Sequence, residues 1–229
     1  MSAPVTLVSS MATRVLLREL ADSFEARSGL RVTIESVGGV AAAARVRSGE
    51  SFDVVVLASD ALDELLAEGR LAPGTKVDLA RSGVAIAVRA GAPRPDVGTE
   101  AALRQAVLAA RSIGYSTGPS GKKLAELFTR WGLSDEVRAR IVVAKAGTPV
   151  GALVARGEVE LGFQQRSELM HLEGIDVLGA MPEPIQIVTT FSAAIGANAR
   201  GPASARELIA FIASPAATAA KQRQGMEPA

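Results

Sequence analysis

Six short stretches of this 229-residue sequence follow predicted strands, nearly all of them small, hydroxylated or glycine-rich and several opening helices: Ser9–Thr13, Gly38–Val40, Ala58–Asp60, Ser116–Lys122, Gly147–Val150 and Gln164–Arg166. A helix N-terminus offers unpaired backbone N–H groups and a partial positive charge, so it holds an anion without a salt bridge. Several such ends facing one another would suit a small oxyanion or a carboxylate. The residues expected to line such a site are Ser9, Ser10, Met11, Ala12 and Thr13, then Gly38, Gly39 and Val40, then Ser59. Ser116, Thr117, Gly118, Ser120, Gly121, Thr148, Pro149, Val150, Gln164 and Gln165 form the expected second set. For each of Ser9, Ser10, Thr117, Ser120 and Thr148 the alternative is that its hydroxyl caps its own helix.

Two titratable residues, Lys122 and Asp60, fall on these loops. Either could serve as a general acid or base if the site is catalytic. Asp60 also reads as a helix cap, and Lys122 also reads as a solvated helix residue. Ser116–Lys123, STGPSGKK, superficially resembles a phosphate loop, but Ser116 stands where the first glycine is needed and Lys123 where Ser or Thr should follow the lysine. Asp53, Asp60, Asp63 and Glu64 do not read as a metal site, because Asp63 and Glu64 fit a solvated helix face. The chain has no Cys and a single His, His171, outside the candidate loops. This argues against disulfides, thiolate metal sites, Cys nucleophiles and a Ser-His triad. His171 is expected to be a surface or packing residue. No cofactor and no metal are expected.

The elements that must position these loops alternate short β-rich runs with amphipathic helical stretches, the pattern of an α/β protein with mainly parallel sheets. Val5–Val8 is a predicted strand, with Ser9 and Ser10 offering a helix cap. Leu16, Leu17, Leu20 and Phe24 recur at helical spacing, predicting a helix over Met11–Arg27. Arg31–Val37 is a strand, Val40–Arg47 a small helix, and Val54–Leu57 a continuous apolar run suited to a central strand. Ser59 or Asp60 would cap the next helix. Further strands are predicted at Val84–Val88, Ile113–Ser116, Ile141–Ala144, Leu161–Gln164, Ile175–Leu178 and Ile187–Ala194. Thr99 is placed to cap a helix reaching Arg111, and Ala203–Ala213 and Pro215–Gln224 read as closing helices.

An internal echo organises this series. Gly39–Leu57 reads GVAAAARVRSGESFDVVVL and Gly147–Gln165 reads GTPVGALVARGEVELGFQQ. Both run glycine, short helix, Gly-Glu, strand. Upstream of each lies a longer helical segment that also matches in order. Strand–loop–helix–strand–loop–helix–strand therefore occurs twice, implying two similar lobes and a cleft between them, where ligands are favoured.

Composition narrows the function. The chain is 48% apolar and 21% charged, enough to bury a core. Lys and Arg total 25 against 24 Asp and Glu, a net charge of +1, and aromatic residues are 3%. Neither a basic excess for nucleic acid nor stacking platforms for bases are present. No apolar run approaches the ~20 residues of a membrane span. The N-terminal text lacks the basic start and apolar run of an export signal, so the expected location is cytoplasmic as written, or periplasmic if a leader has been removed.

The ordered series VTLVSSMATRVLLRELADSFEARSGLRVTIES, GESFDVVVLASDALDELLAEGRL, DLARSGVAIAVRAGAPRPD, SIGYSTGPSGKKLAELFTRWGL and GEVELGFQQRSEL through GMEPA resembles the molybdate-binding type of bacterial substrate-binding proteins. The resemblance implies a type II periplasmic-binding fold of two lobes joined by two crossover strands. It implies a first lobe of 1–80 plus 191–229, a second of 82–185, and crossovers near 81–83 and 186–190. Molybdate binders of this kind place Ser in the first and second loops and Tyr after the Gly-Glu strand. Here Ala12, Gly39-Val40 and Gln165 stand near those positions. The wording SSMATR, VDLARSG, YSTGPSG and GFQQRSEL is more similar to a branch that includes aconitate isomerase-like proteins. Gln164 and Gln165, Arg14 or Arg81 with the neighbouring Ser82, and Lys122 would suit carboxylates. The resemblance thus implies a monomeric receptor for a small anionic ligand, working with an ABC permease if exported. The alternative is a cytoplasmic isomerase that shifts a proton across an allylic system.

Overall fold

The computed structural model describes residues 3–145 and 147–229. Along the chain the elements are β1 (Val5–Ser10), α1 (Arg14–Ser28), β2 (Val32–Val37), α2 (Gly39–Arg47), β3 (Val54–Ala58), α3 (Ser59–Ala67) and the long β4 (Val77–Arg89). There follow α4 (Glu100–Ala109), β5 (Ile113–Ser116), α5 (Pro119–Arg130), α6 (Asp135–Arg138), β6 (Ile141–Ala144), α7 (Val150–Ala155), β7 (Leu161–Gln165), α8 (Arg166–Leu169) and β8 (Ile175–Ala180). The chain closes with β9 (Val188–Ile195), α9 (Pro202–Ala213), α10 (Thr218–Arg223) and β10 (Glu227–Pro228). It divides into two compact units: one runs to Ser82 and resumes from Thr189 to Ala229, and the other is Gly83–Val188. The chain passes between units once along β4 and once at the start of β9.

In the first unit β1 is flanked by β2 and β3, both parallel to it, and β9 lies antiparallel to β3. The period-2 alternation of strand side chains explains the burial on both faces. Val5, Leu7, Val54 and Val56 point to one side, where Leu16, Leu17, Leu20 and Phe24 of α1 meet Leu208, Ile209 and Ile212 of α9. Val8, Val55 and Leu57 point to the other, against Ala42, Ala43 and Val46 of α2 and Leu62 and Leu65 of α3. A sheet covered on both faces needs the continuous apolar run that β3 supplies. At the amino end of β3, Asp53 ties the unit together. Its carboxylate accepts from the Thr6 N–H and hydroxyl and from the N–H groups of Arg200 and Gly201, at 2.7–2.9 Å. Burial works against the charged carboxylate, but these donors outweigh it and hold its pKa below the ordinary aspartate value.

The second unit repeats the order. β5 is flanked by β6 and β7, both parallel, and β7 is followed by the antiparallel β4, with β8 on β4 as well. Thus β6-β5-β7-β4 mirrors β2-β1-β3-β9. One face packs Val84, Ile86, Ile113 and Phe163 on α4 and α5, and Phe128 stacks on Trp131 with ring centroids 5.7 Å apart. Thr99 caps α4 as its sequence position predicts, accepting the Ala102 N–H at 3.1 Å.

Several predicted caps are corrected. Strand β1 extends through Ser10, so Ser9 is a strand residue rather than a helix cap. Ala58, not Ser59 or Asp60, occupies the cap position of α3, because β3 runs directly into the helix. The predicted helix Pro215–Gln224 is a short 3-10 turn, Pro215–Ala217, followed by α10. The strand predicted at Val84–Val88 is the second half of a strand that begins at Val77.

Candidate functional site

Because β1, β2 and β3 run parallel, their carboxyl ends lie along one edge of the first unit's sheet. Each leads into a helix: β1 through the 3-10 turn Met11–Thr13 into α1, β2 through Gly38 into α2, and β3 directly into α3. Ser10 pairs in register with Val37, and a Cβ built on Gly39 would lie 3.7 Å from the Ser10 Cβ. The first two candidate loops are therefore neighbours, and glycine at 39 keeps the start of α2 free of a side chain beside Ser10. None of the helix-opening positions Ser10, Thr13, Gly38 or Ala58 makes a side-chain cap hydrogen bond. Their first-turn N–H groups are left to other acceptors.

The hydroxyls of this edge divide by role. Ser9 is fully buried, and its Oγ shares a 2.8 Å hydrogen bond with Ser36 Oγ across β1 and β2. Thr13 donates its hydroxyl to the Ser10 carbonyl at 3.1 Å. Ser10 is 7% exposed, and its Oγ has no hydrogen-bond partner among the described residues. The capping alternative therefore fails for Ser10. Around it, Met11 is half-buried, Ala12 buried, and Arg14 and Val40 exposed. Ser59 is half-buried and Asp60 is exposed, its Oδ1 accepting the Ala61 N–H at 2.9 Å.

In the second unit the parallel β5, β6 and β7 likewise deliver their loops to one edge. Gly118 caps α5 without a side-chain bond, so Thr117 does not cap it. Ser120 sits in the first turn of α5, nine-tenths buried, with no hydrogen bond from its hydroxyl to a described residue. Gly121 lets this turn press on the end of β5, because a Cβ there would stand 1.7 Å from the Ser116 carbonyl oxygen. Tyr115 packs edge-on to Phe128, and burial raises its phenol pKa above the ordinary value. Lys122 and Thr117 are exposed, and Ser116 is half-buried.

At the start of α7, Thr148 and Pro149 are half-buried, Val150 is buried, and Pro149 rather than Thr148 takes the cap position. Gln164 is engaged within the fold. Its Oε1 accepts the Gly151 N–H at 3.0 Å and its Nε2 donates to Glu168 at 2.7 Å. Gln165 is buried beside it. Sequence reasoning missed Ser167, a buried serine of α8 whose Oγ meets no described partner. Only its position two residues beyond β7 could have suggested it.

Where the chain leaves the first unit, Ser82 is buried with its Oγ unpartnered among the described residues, and Arg81 is exposed, 3.8 Å from Glu227. Just beyond, Gln186 Oε1 accepts the Val84 N–H at 3.1 Å and its Nε2 donates to the Met181 carbonyl at 3.3 Å. Among the described residues no group of three or more His, Cys, Asp or Glu could hold a metal ion, and no helix is long and apolar enough to cross a membrane.

Each edge by itself offers uncapped helix ends, unbonded hydroxyls among the described residues and few fixed charges, features suited to anions with several oxygens. Comparison with known proteins gives the family and the fold. The profile of the bacterial extracellular solute-binding protein family matches residues 5–227. A protein named aconitate isomerase from Pseudomonas sp. is 38% identical over 232 residues, covering 98% of this chain and 87% of that protein. The periplasmic molybdate-binding protein of Azotobacter vinelandii superposes with a TM-score of 0.80 at 22% identity, over 97% of this chain and 98% of its own. A tungstate ABC transporter structure from Geobacter sulfurreducens does so with a TM-score of 0.76 at 16% identity, over 96% and 98%.

Proposed function

Because this chain belongs to the bacterial extracellular solute-binding protein family and has the type II periplasmic-binding fold, we propose that it binds a small polycarboxylate of the aconitate kind, using the loops at the carboxyl ends of its parallel strands. The observation that carries this reading is the 38% identity with a protein named aconitate isomerase across 98% of the chain. The chemistry of the loops supports it. The N–H groups opening α1, α2 and α3 in the first unit, and those opening α5 in the second, are each candidates to receive carboxylate oxygens. In the first unit the Ser10 hydroxyl would add a neutral donor and Arg14 a charge; in the second Ser120 and Lys122 would do the same. Three carboxylates spread over several ångströms suit such dispersed donors better than one compact tetrahedral oxyanion. The transport form of the reading hands the ligand to an ABC permease.

The test is a melting screen with cis-aconitate, trans-aconitate, citrate, molybdate and sulfate. Stabilisation by the aconitates supports the reading. Stabilisation by molybdate alone overturns it.

The name of the same relative favours a second reading, that the bound acid is isomerised. A base on the loops would take one proton from the methylene carbon, and the electron pair would shift through the allylic system. A proton would then return at the far alkene carbon, leaving the formula unchanged. Asp60 and Lys122 are the candidate bases. N–H groups aimed at the adjoining carboxylate would stabilise the enolate-like charge. Following the alkene proton signals of cis-aconitate separates the two: interconversion above the blank establishes catalysis, and stabilisation without interconversion establishes a receptor.

A further inference from the structure

A cavity lies in the first unit at the amino-terminal end of β3, away from the candidate loops. It encloses about 220 Å³, with Val46, Phe52 and Val55 as its apolar floor and Glu50, Arg70 and Asn198 at its rim. Its size is below the ~300–1,000 Å³ of pockets for drug-sized ligands, so it suits a molecule as small as an amino acid.

The walls are fixed. Helices α2 and α3 both end here in left-handed glycines, Gly49 and Gly69, at φ +92° and +68°. Each end closes with paired bonds, Gly49 N–H to Val46 and Glu50 N–H to Arg45, then Gly69 N–H to Leu66 and Arg70 N–H to Leu65. The facing loop is held by the Gly196 N–H on Asp53, the Ala197 N–H on Arg70, and Ser51 Oγ donating to the Asn198 carbonyl at 2.8 Å.

The charges at the rim differ in what they have left to offer. Arg70 makes no ion pair and no side-chain hydrogen bond among the described residues, so its planar donors are open to a carboxylate. Glu50 accepts two bonds from Arg45, but a carboxylate has about four acceptor positions. The negative ends of two helix dipoles meet beside it. The rim therefore sets the Arg70 guanidinium beside a carboxylate that Arg45 pairs from one side, its own guanidinium 5.1 Å from the Phe52 ring centroid, and that keeps acceptor positions for an ammonium group.

We propose that this cavity binds a zwitterionic amino acid with a small aliphatic side chain. The carboxylate lies on Arg70, the ammonium faces Glu50 and the ends of α2 and α3, and the side chain rests on Val46, Phe52 and Val55. The experiment titrates the labelled full-length protein with L-valine, isovalerate and isobutylamine and follows the backbone amides of Gly49, Gly69 and Ala197. L-valine saturates these shifts, and each half-molecule binds about tenfold more weakly. Arg70→Gln, which keeps every backbone bond of the wall, weakens valine about tenfold, leaves isobutylamine unchanged and melts with the wild type. The proposal is overturned if valine gives no saturable shift, if isovalerate matches valine, or if Arg70→Gln binds valine normally.

Discussion

Replacing Gly121 by alanine tests whether the start of α5 belongs to the ligand site. The new Cβ would lie 1.7 Å from the Ser116 carbonyl oxygen and 2.8 Å from its carbon, both backbone atoms. Real Cβ contacts essentially never fall under 3.0 Å, so the two backbone segments must part by more than an ångström. Overpacking of this kind costs about 1–3 kcal/mol, a drop of several degrees in the melting of the second unit. Misplacing a binding group by about 1 Å can cost on the order of 100-fold in function, so aconitate affinity should fall by about that factor. Calorimetric titration measures it, with circular dichroism confirming the folded state. Ser120→Ala separates sterics from chemistry. Its hydroxyl bonds to none of the described residues, so stability should hold while binding weakens by about 0.5–1.5 kcal/mol. If Gly121→Ala and Ser120→Ala both bind like the wild type, the start of α5 is no part of the site.

Ser10→Ala removes a buried hydroxyl with no partner among the described residues, so the protein should be as stable or more stable, by up to about 1 kcal/mol, while ligand affinity drops. Destabilisation instead would mean that Ser10 is structural. Asp53→Asn should destabilise the first unit by about 1.5–3 kcal/mol in urea, because the carboxylate serves four donors. Its depressed pKa makes that contribution complete above the unfolded aspartate pKa and lost as pH falls through the folded value. The wild type should therefore lose its margin over the variant in acid. Lys221 is only 1% exposed, and burial lowers its pKa. The unfolded chain then binds more protons in the window below the ordinary lysine value, so stability rises with pH there. Lys221→Met should gain about 0.5–2 kcal/mol at neutral pH and lose that rise; equal slopes for the two proteins would refute the account.

Much of this fold was legible in the sequence because strands and helices buried on a definite face must carry period-2 and period-3.6 patterns. Val54–Leu57 announced a central strand, and Leu16, Leu17, Leu20 and Phe24 announced the buried face of α1. The repeated order of elements appears as matching strand orders in the two units. Register was not legible. Whether Ser9 faces a ligand or Ser36 depends on how β1 and β2 align, which neither strand encodes alone. Gln164 also holds the start of α7 through Gly151, a tie that its position after a strand does not announce. Lys221 looked like an ordinary charge near a helix end, and only packing against the first unit's core buries it. The two-residue β10 has no pattern to detect. Its pairing with Ala80 and Arg81 exists because α10 delivers the chain there.

The division of the chain also bears on how the protein is made. The first unit is interrupted by the 106 residues of Gly83–Val188. At a synthesis rate of about 5–20 residues per second, that insertion takes roughly 5–20 s to emerge from a ribosome. During this interval β3, buried at every position in the finished protein, lacks β9, its antiparallel partner. The nascent amino-terminal segment thus displays a bare Val-rich ribbon with open hydrogen-bonding groups while the contiguous second unit can already fold. Chaperone cover, or a pause that lets the carboxyl-terminal segment arrive, is most needed over those seconds.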